Sequence, residues 1–198
     1  ILMVARKSKK LPRSFYNRPT LEVARDLLGK VIVYNSSEGR LSARIVEVEA
    51  YIGQDDPACH AARGKTKRNA VMFGEPGHTY VYFIYGMYYC LNFVTEPENQ
   101  AAAVLLRAAE PLEGIEIMEK NSPRSTEQLL LSGPGKFCRS FGLTREHNGL
   151  DLTGDIIYIE DHPDRPARIV TTPRIGINNA RDKKWRFCDA SSPALSRK

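Results

Sequence analysis

The sequence predicts a single domain of the mixed α/β class, because of its length, its alternating patterns and its continuity. The chain has 198 residues, a length that fits one domain with at most a small elaboration. Hydrophobic patterns typical of helices and of strands alternate along it. It contains no internal repeat, low-complexity tract or linker-like segment. We therefore predict one compact domain over residues 14–198, preceded by a basic arm over residues 1–13 that is mobile.

The composition is that of a globular protein with a real core, at 42% hydrophobic and 26% charged residues. The net charge of +6 is compatible with a phosphate-bearing partner but does not specify one. The cysteines are widely spread and form no CxxC pair, so zinc is not expected and buried free thiols are. No apolar run is long enough to span a membrane, and the apolar start is too short for a signal peptide. We expect an intracellular protein, in the cytoplasm or nucleoid of a bacterium or in the nucleus of a eukaryote.

The first third of the chain predicts a helix, two strands and a long loop. Apolar residues at helical spacing indicate a helix that Thr20 caps and Gly29 ends: Leu21, Ala24, Leu27 and Leu28. Residues 31–34 and 41–51 are typical of strands, with a turn between them. Residues 54–78 carry turn residues and charges with little periodicity. A loop of that length inside a compact domain usually has a function.

The remaining elements follow from shorter patterns. Two apolar, aromatic-rich segments over residues 79–84 and 87–94 meet at Tyr85-Gly86, which predicts a β-hairpin. We predict further strands over residues 101–109, 156–159, 168–170 and 185–188. Helices are predicted over residues 112–120 and 136–141, with Gly142 ending the second.

The strand over residues 44–51 carries two carboxylates in an apolar setting. Alternation places Glu47, Glu49 and Tyr51 on one face of the strand, and Val46, Val48 and Ala50 on the other. Carboxylates in such a strand are costly unless they are solvated, paired or used. Two interpretations remain open from the pattern, a solvated edge strand and a general base held on a rigid element.

Acidic residues also follow that strand. Asp55 and Asp56, together with Glu47 and Glu49, leave open a magnesium site of a nuclease, which spacing alone does not exclude. His60, taken alone, is more typical of a hydrogen-bonded structural histidine than of a catalyst or metal ligand.

Tyrosines are concentrated in the hairpin. Five fall within ten residues: Tyr80, Tyr82, Tyr85, Tyr88 and Tyr89. Aromatic side chains often form a core, but buried tyrosines need partners for their hydroxyl groups. In a basic protein such a cluster also suits stacking on nucleic-acid bases. At the tip, Tyr85 or Met87 is placed to wedge into a base stack from the minor groove.

A glycine-rich turn precedes the second predicted helix. The segment Gly133-Pro134-Gly135-Lys136 leaves free backbone N–H groups at a helix start, which favours phosphate, and Lys136 adds positive charge. The spacing is not that of a Walker motif.

Taken together, these segments resemble the alkyladenine (3-methyladenine) DNA glycosylase family. The matching stretches run in order over nearly the whole chain, from RIVEVEAY (44–51), ACH (58–60) and MF (72–73) through YVYFIYGMYYCLN (80–92), VLLRAAEPLEG (104–114) and SGPGK (132–136) to PRIG (173–176) and WRF (185–187). The segment between Gly114 and Ser132 and the end after Phe187 depart from the family's pattern. The resemblance implies one compact α/β domain around a curved, mostly antiparallel sheet with a protruding β-hairpin.

The resemblance also implies residue roles. Glu49 matches the family's water-activating base. The pocket for the extruded base is matched by Tyr51, Ala58, His60 and Tyr82, by Asn92, which screens out normal guanine, and by Arg107, near the catalytic water and the sugar-phosphate. Tyr85 matches the side chain that fills the gap in the duplex, and we assign Met87 and Lys136 to DNA contact with it.

The implied activity is base-excision repair without a cofactor or metal. A monomeric enzyme binds double-stranded DNA, flips a damaged purine and hydrolyses its N-glycosidic bond. The implied lesions are alkylated purines such as 3-methyladenine, together with hypoxanthine and ethenoadenine. No lysine stands out as a Schiff-base nucleophile, so we expect an abasic site without strand cleavage. A noncatalytic nucleic-acid-binding module and the metal nuclease remain as alternatives of other classes.

Overall fold

The structure, a computed structural model, describes residues 9–197. Eight strands form one antiparallel sheet in the order β3-β4-β5-β2-β1-β6, with β8 pairing with both β2 and β7. The strands are β1 (Val31–Ser36), β2 (Gly39–Ile52), β3 (Thr79–Ile84), β4 (Tyr88–Thr95), β5 (Ala102–Glu113), β6 (Ile157–Glu160), β7 (Ile169–Thr172) and β8 (Arg186–Asp189). The sheet curls around the core, as the predicted fold class requires.

Four helices cover the sheet: α1 (Arg13–Tyr16), α2 (Thr20–Leu27), α3 (Ile115–Asn121) and α4 (Pro134–Phe141). The apolar stripe of α2 and the two phenylalanines of α4 enter the main core, where Phe137 and Phe141 stack at 4.3 Å. They pack on inward-facing strand residues such as Leu91 and Leu106. All four cysteines are buried and free, as expected. Among the described residues, no helix has the length and apolar character needed to cross a membrane.

Three sequence predictions need correction at element ends. Pro19 occupies the N-cap position of α2, and Thr20 is the first helical residue, with its hydroxyl bonded to Thr95 and Glu96 instead. Strand β5 continues to Glu113, beyond the predicted end at residue 109, because its last residues still pair with β2. Helix α3 consequently starts at Ile115 rather than at residue 112. The left-handed Gly114 makes this change of direction (φ +74°).

Part of the predicted basic arm is packed on the domain. Lys10 pairs with Glu160 at the edge of β6, and Leu11 is buried. Residues 9–13 therefore belong to the folded domain, whereas the arm prediction for residues 1–8 lies outside the described residues.

The pairing of β2 with β5 has three irregularities, and two of them flank Glu47 and interrupt the alternation there. On β2, Val46 has no partner, because Ile45 pairs with Ala109 and Glu47 pairs with the next residue, Ala108. On β5, Arg107 has no partner, because Val48 pairs with Leu106. A bulge of this kind re-aims the neighbouring side chains. Val46 consequently packs against Ala108 and Ala194 rather than with Val48 and Ala50 in the main core, contrary to the simple alternation.

Candidate active site

A cavity of about 240 Å³ opens between β2, the loop that follows it and the β3–β4 hairpin. Tyr51 from β2, Ala58 and His60 from the loop, and Tyr82 and Asn92 from the hairpin all line it. The lining is completed by Met72, Tyr80, Ile84 and residues 176–179. The cavity is smaller than a site for a drug-sized ligand, and its size suits a single nucleobase.

The walls of the cavity are aromatic and hydrogen-bonded to one another. The rings of His60 and Tyr82 meet edge to face, with centroids 4.4 Å apart. His60 Nδ1 lies 2.9 Å from the hydroxyl of Tyr80, within hydrogen-bond distance. Burial, with a further contribution from the charge of Arg68, lowers the pKa of His60 below its usual 6.5. The imidazole is therefore neutral at neutral pH and does not repel a cationic base.

Asn92 reaches the cavity from the buried part of β4. Its side-chain amide donates a hydrogen bond to the carbonyl of Tyr80 at 3.1 Å, across the hairpin. The residue is only 4% exposed. A side chain fixed in this way forms a rigid wall against a bound base, because it cannot turn away without losing its bond.

Glu49 lies behind the cavity wall with both carboxylate oxygens engaged. The hydroxyl of Tyr51 donates to Oε2 at 2.8 Å, and the backbone N–H of Ile175 donates to Oε1 at 2.7 Å. Nη1 of Arg107 lies 3.5 Å from Oε1. Burial and the Glu49 charge raise the pKa of Tyr51 well above its usual value, so the phenol keeps the proton that it donates. These contacts orient the carboxylate at a fixed place.

A groove of about 440 Å³ adjoins the cavity and runs toward the hairpin tip. Tyr51, Tyr82 and Gly176 line both spaces. Arg107 lines the groove and not the cavity, so it stands apart from the other predicted pocket residues. The partners of Glu49, namely Tyr51, Ile175 and Arg107, all line the groove. The carboxylate itself lines neither space: it lies behind the groove wall, bonded to Tyr51, which lines both.

The start of α4 forms the opposite side of the groove. Lys136 lines it and donates a hydrogen bond to Ser132 at 3.2 Å. A Cβ atom on Gly135 would come within 2.9 Å of the Tyr88 ring, so the second glycine of the Gly133-Pro134-Gly135-Lys136 turn permits close contact between α4 and β4. The predicted phosphate-favouring turn thus faces the same groove as Arg107.

The hairpin tip projects away from the core. Tyr85 and Gly86 both have positive φ, +54° and +67°, within the three-residue connection between the paired residues Ile84 and Tyr88. The side chain of Tyr85 is 77% exposed and that of Met87 61% exposed. Large apolar side chains held in water at a turn are typical of a contact surface. Tyr85 also lines the groove, so the tip is continuous with the site.

Glu47 is fully buried, which excludes a solvated edge strand. It accepts hydrogen bonds from Arg107, Arg186 and Ser196. Burial raises the pKa of Glu47, but the bonds from Ser196 and Arg186 and the charge of Arg107 outweigh that effect and lower it. Glu47 is thus an ionised partner of arginines.

The acidic residues predicted as a possible magnesium site do not form one cluster, because Glu47 and Asp56 pair with different arginines. Asp56 is buried and forms a two-bond ion pair with Arg174, while Asp55 is exposed. Within residues 9–197, no group of three or more His, Cys, Asp or Glu side chains is arranged to hold a metal ion. The carboxylates that favoured a nuclease therefore do not converge.

The Asp56–Arg174 pair is a part of the site that sequence analysis did not identify. Both side chains are fully buried, and the guanidinium lies over the rings of Tyr51 (4.7 Å) and Trp185 (5.0 Å). Arg174 also donates to the carbonyl of Ala50, next to Glu49. The pair therefore fixes the wall behind Tyr51. In the sequence, this pair was indicated by Arg174 in the segment PRIG (173–176), an arginine for which no partner was predicted.

Comparison with known proteins gives one consistent result. The family model for methylpurine-DNA glycosylase matches residues 14–193. A protein of Methanocella arvoryzae is 54% identical over 194 residues, which cover 95% of this chain and 96% of that protein. One from Chlorobaculum tepidum is 49% identical over 191 residues (96% and 91%), and one from a Wolbachia of Brugia malayi is 54% identical over 179 residues (89% and 95%). All three carry the name "Putative 3-methyladenine DNA glycosylase".

Proposed function

The chain belongs to the methylpurine-DNA glycosylase family and is a DNA glycosylase, and we propose that it flips damaged purines out of duplex DNA and hydrolyses their N-glycosidic bond. The observation that carries the proposal is the position of Glu49. A buried carboxylate, oriented by the Tyr51 hydroxyl and the Ile175 N–H, lies directly behind Tyr51, which lines the junction between a base-sized cavity and the groove. A nucleotide with its base in the cavity and its sugar in the groove has C1′ at this junction.

Flipping is supported by the hairpin tip. A base can enter a cavity of this kind only after leaving the stack, at a cost of a few kcal/mol. Tyr85, exposed and held at the turn, is placed to occupy the vacated position, with Met87 beside it. Lys136 and the start of α4 border the groove, where the phosphates of the flipped nucleotide pass. Damaged bases pair and stack less well, so they are extruded at lower cost.

The aromatic cavity supports alkylated purines as substrates. A 3-methyladenine base carries positive charge, which tyrosine faces attract. His60 is neutral and adds no repulsion. Hypoxanthine and ethenoadenine are uncharged and rely on hydrogen bonds within the cavity. Asn92 excludes guanine, because its rigidly bonded amide leaves no room for the exocyclic amine.

The hydrolytic step follows from the carboxylate. Glu49 accepts a proton from a water molecule while the water oxygen forms a bond to C1′. The bond from C1′ to the purine nitrogen breaks, and its electron pair leaves with the base. The negative charge of Glu49 also stabilises the positive charge that develops on the sugar. Arg107, 3.5 Å from Glu49, orients the same water and the sugar-phosphate.

The products are a free base and an abasic site in an intact strand. Among the residues that line the described cavity there is no lysine, and Lys136 in the groove is bonded to Ser132, so a Schiff base with C1′ is not expected. We propose that the protein acts on double-stranded DNA as a monomer.

The experiment that tests the proposal is a base-release assay in excess EDTA. Duplexes with a single hypoxanthine or 1,N6-ethenoadenine are incubated with the protein, and the strand is examined before and after mild alkali. The expected result is release of the lesion base and cleavage only after alkali. Binding without base release would support a noncatalytic module instead. Nicking that EDTA abolishes and magnesium restores would support the nuclease.

A further inference from the structure

A cluster of charged and polar side chains lies next to Glu49, and of its members only Arg107 takes part in the proposed hydrolysis. The cluster consists of Glu47, Arg107, Arg186 and Ser196, which we call the Glu47 network. Oε1 of Glu47 accepts from Arg107 Nε at 3.0 Å, Arg186 Nε at 2.7 Å and Ser196 Oγ at 2.7 Å. Oε2 accepts the backbone N–H of Ser196 at 2.6 Å. With Glu49, the cluster contains as many carboxylates as guanidiniums, so its charges balance.

The network fixes two of the three nitrogens of the Arg107 guanidinium. Nε is bonded to Glu47 and lies 3.3 Å from the Ser196 hydroxyl, and Nη2 donates to the same hydroxyl at 3.2 Å. Nη1, the remaining nitrogen, is directed to Glu49 at 3.5 Å, longer than a good hydrogen bond. Arg107 is thus held beside Glu49 without pairing with it closely. Two bulges in the β2–β5 pairing, at Val46 and at Arg107, aim the side chains in this way.

Ser196 comes from a segment outside the part of the chain that the family model matches, residues 14–193. Its neighbours anchor it, since Ala194 packs on Val46 and the carbonyl of Arg197 accepts a bond from Arg186 Nη2 at 2.6 Å. The segment over residues 194–197 therefore covers Glu47 and contributes a hydroxyl to the arginine beside the base.

We propose, on the basis of the function proposed above, that Glu47 and Ser196 are positioning residues that hold Arg107 at its working distance from Glu49. When a contact of the network is lost, the Arg107 guanidinium is free to move toward Glu49, which lies 3.5 Å from its Nη1. A closer, two-bond pairing then occupies the carboxylate oxygens that must act on water. The loss falls on the chemical step and not on DNA binding.

The test compares Ser196→Ala with Ser42→Ala in single-turnover excision. Ser42 is a matched control, because it is buried and donates its hydroxyl to a carboxylate, Glu113, outside the site and outside the 194–197 segment. Ser196→Ala should slow excision by about tenfold or more, the scale of a hydrogen bond to a charged group, with unchanged affinity for lesion DNA. Ser42→Ala should excise at the wild-type rate. Ser196→Thr, which keeps the hydroxyl, should restore the rate.

A double-mutant cycle separates positioning from a general structural effect. In an Arg107→Gln background, Ser196→Ala should cause no further loss. Glu47→Gln should give a larger loss than Ser196→Ala, again absent in that background, with folding verified by urea unfolding. Equal rates for the two serine variants, or the same loss with and without Arg107, would overturn the inference. If wild-type protein releases no base, the proposed function fails, and this inference fails with it.

Discussion

Replacement of Tyr85 by alanine isolates the flipping step, because the side chain does little for the folded domain. It is 77% exposed, so its removal leaves the core intact. The backbone at φ +54° is as unfavourable for alanine as for tyrosine, so turn strain is unchanged. The effect therefore reports the contact with DNA. A base–aromatic stack contributes about 1–3 kcal/mol, which corresponds to about a 5- to 150-fold weaker flipping equilibrium.

The assay is the fluorescence of 2-aminopurine placed next to the lesion, measured with Glu49→Gln protein so that excision does not intervene. Tyr85→Phe keeps the ring and should flip the base like the parent protein. Tyr85→Ala should flip a smaller fraction, with the free energy of unfolding unchanged. An unaltered flipping equilibrium in Tyr85→Ala would refute the assignment of this side chain to the duplex gap.

Three further predictions concern the cavity and its supports. Asn92→Ser should raise excision of guanine from mismatches relative to hypoxanthine, measured as a ratio of single-turnover rates; an unchanged ratio would leave Asn92 a purely structural role. Asp56→Asn leaves the buried Arg174 guanidinium without its charge partner, so urea unfolding should show a loss of about 3–5 kcal/mol, and a loss below about 1 kcal/mol would contradict a paired role. Burial raises the pKa of Asp56 and of Glu47, but bonds from arginines and other donors outweigh it and lower both. The stability that these two carboxylates contribute is therefore present above their ordinary pKa values of 3.8 and 4.5 and is lost as the pH falls through the lowered values. The free energy of unfolding should decline less steeply with falling pH in Asp56→Asn than in the wild type. Identical slopes would contradict the ionised pairing of Asp56.

Much of the fold was predictable because its signals are local. The hairpin around Tyr85-Gly86, the helix that Gly142 ends and the strands on either side of a polar turn are each specified by a few neighbouring residues. Of the residues predicted for the base pocket, five line one cavity and Arg107 does not. A family resemblance carries long-range information of this kind, which periodicity lacks.

The parts that sequence analysis missed depend on contacts between distant residues. Strict alternation predicted that the side chains of Val46 and Val48 lie on the same face of β2. The unpaired residue in the β2–β5 pairing instead places Val46 in a separate cluster from Val48. The partner of Asp56 is 118 residues away, and Ser196 lies 149 residues from Glu47. No local pattern encodes such pairs. An arginine or carboxylate at an apolar strand position indicates only that a partner exists.

Replacement of Glu49 by glutamine in a single-turnover assay shows whether this carboxylate is the base. Glu47→Gln is unsuitable as the control because Glu47 holds Arg107, whereas Glu110→Gln alters a half-buried glutamate paired with Arg44 outside the site. We predict that Glu49→Gln slows excision of hypoxanthine by at least about 10²-fold, while affinity for lesion DNA is retained or improved and Glu110→Gln excises at the wild-type rate. Excision by Glu49→Gln within a few-fold of the wild-type rate would exclude Glu49 as the base.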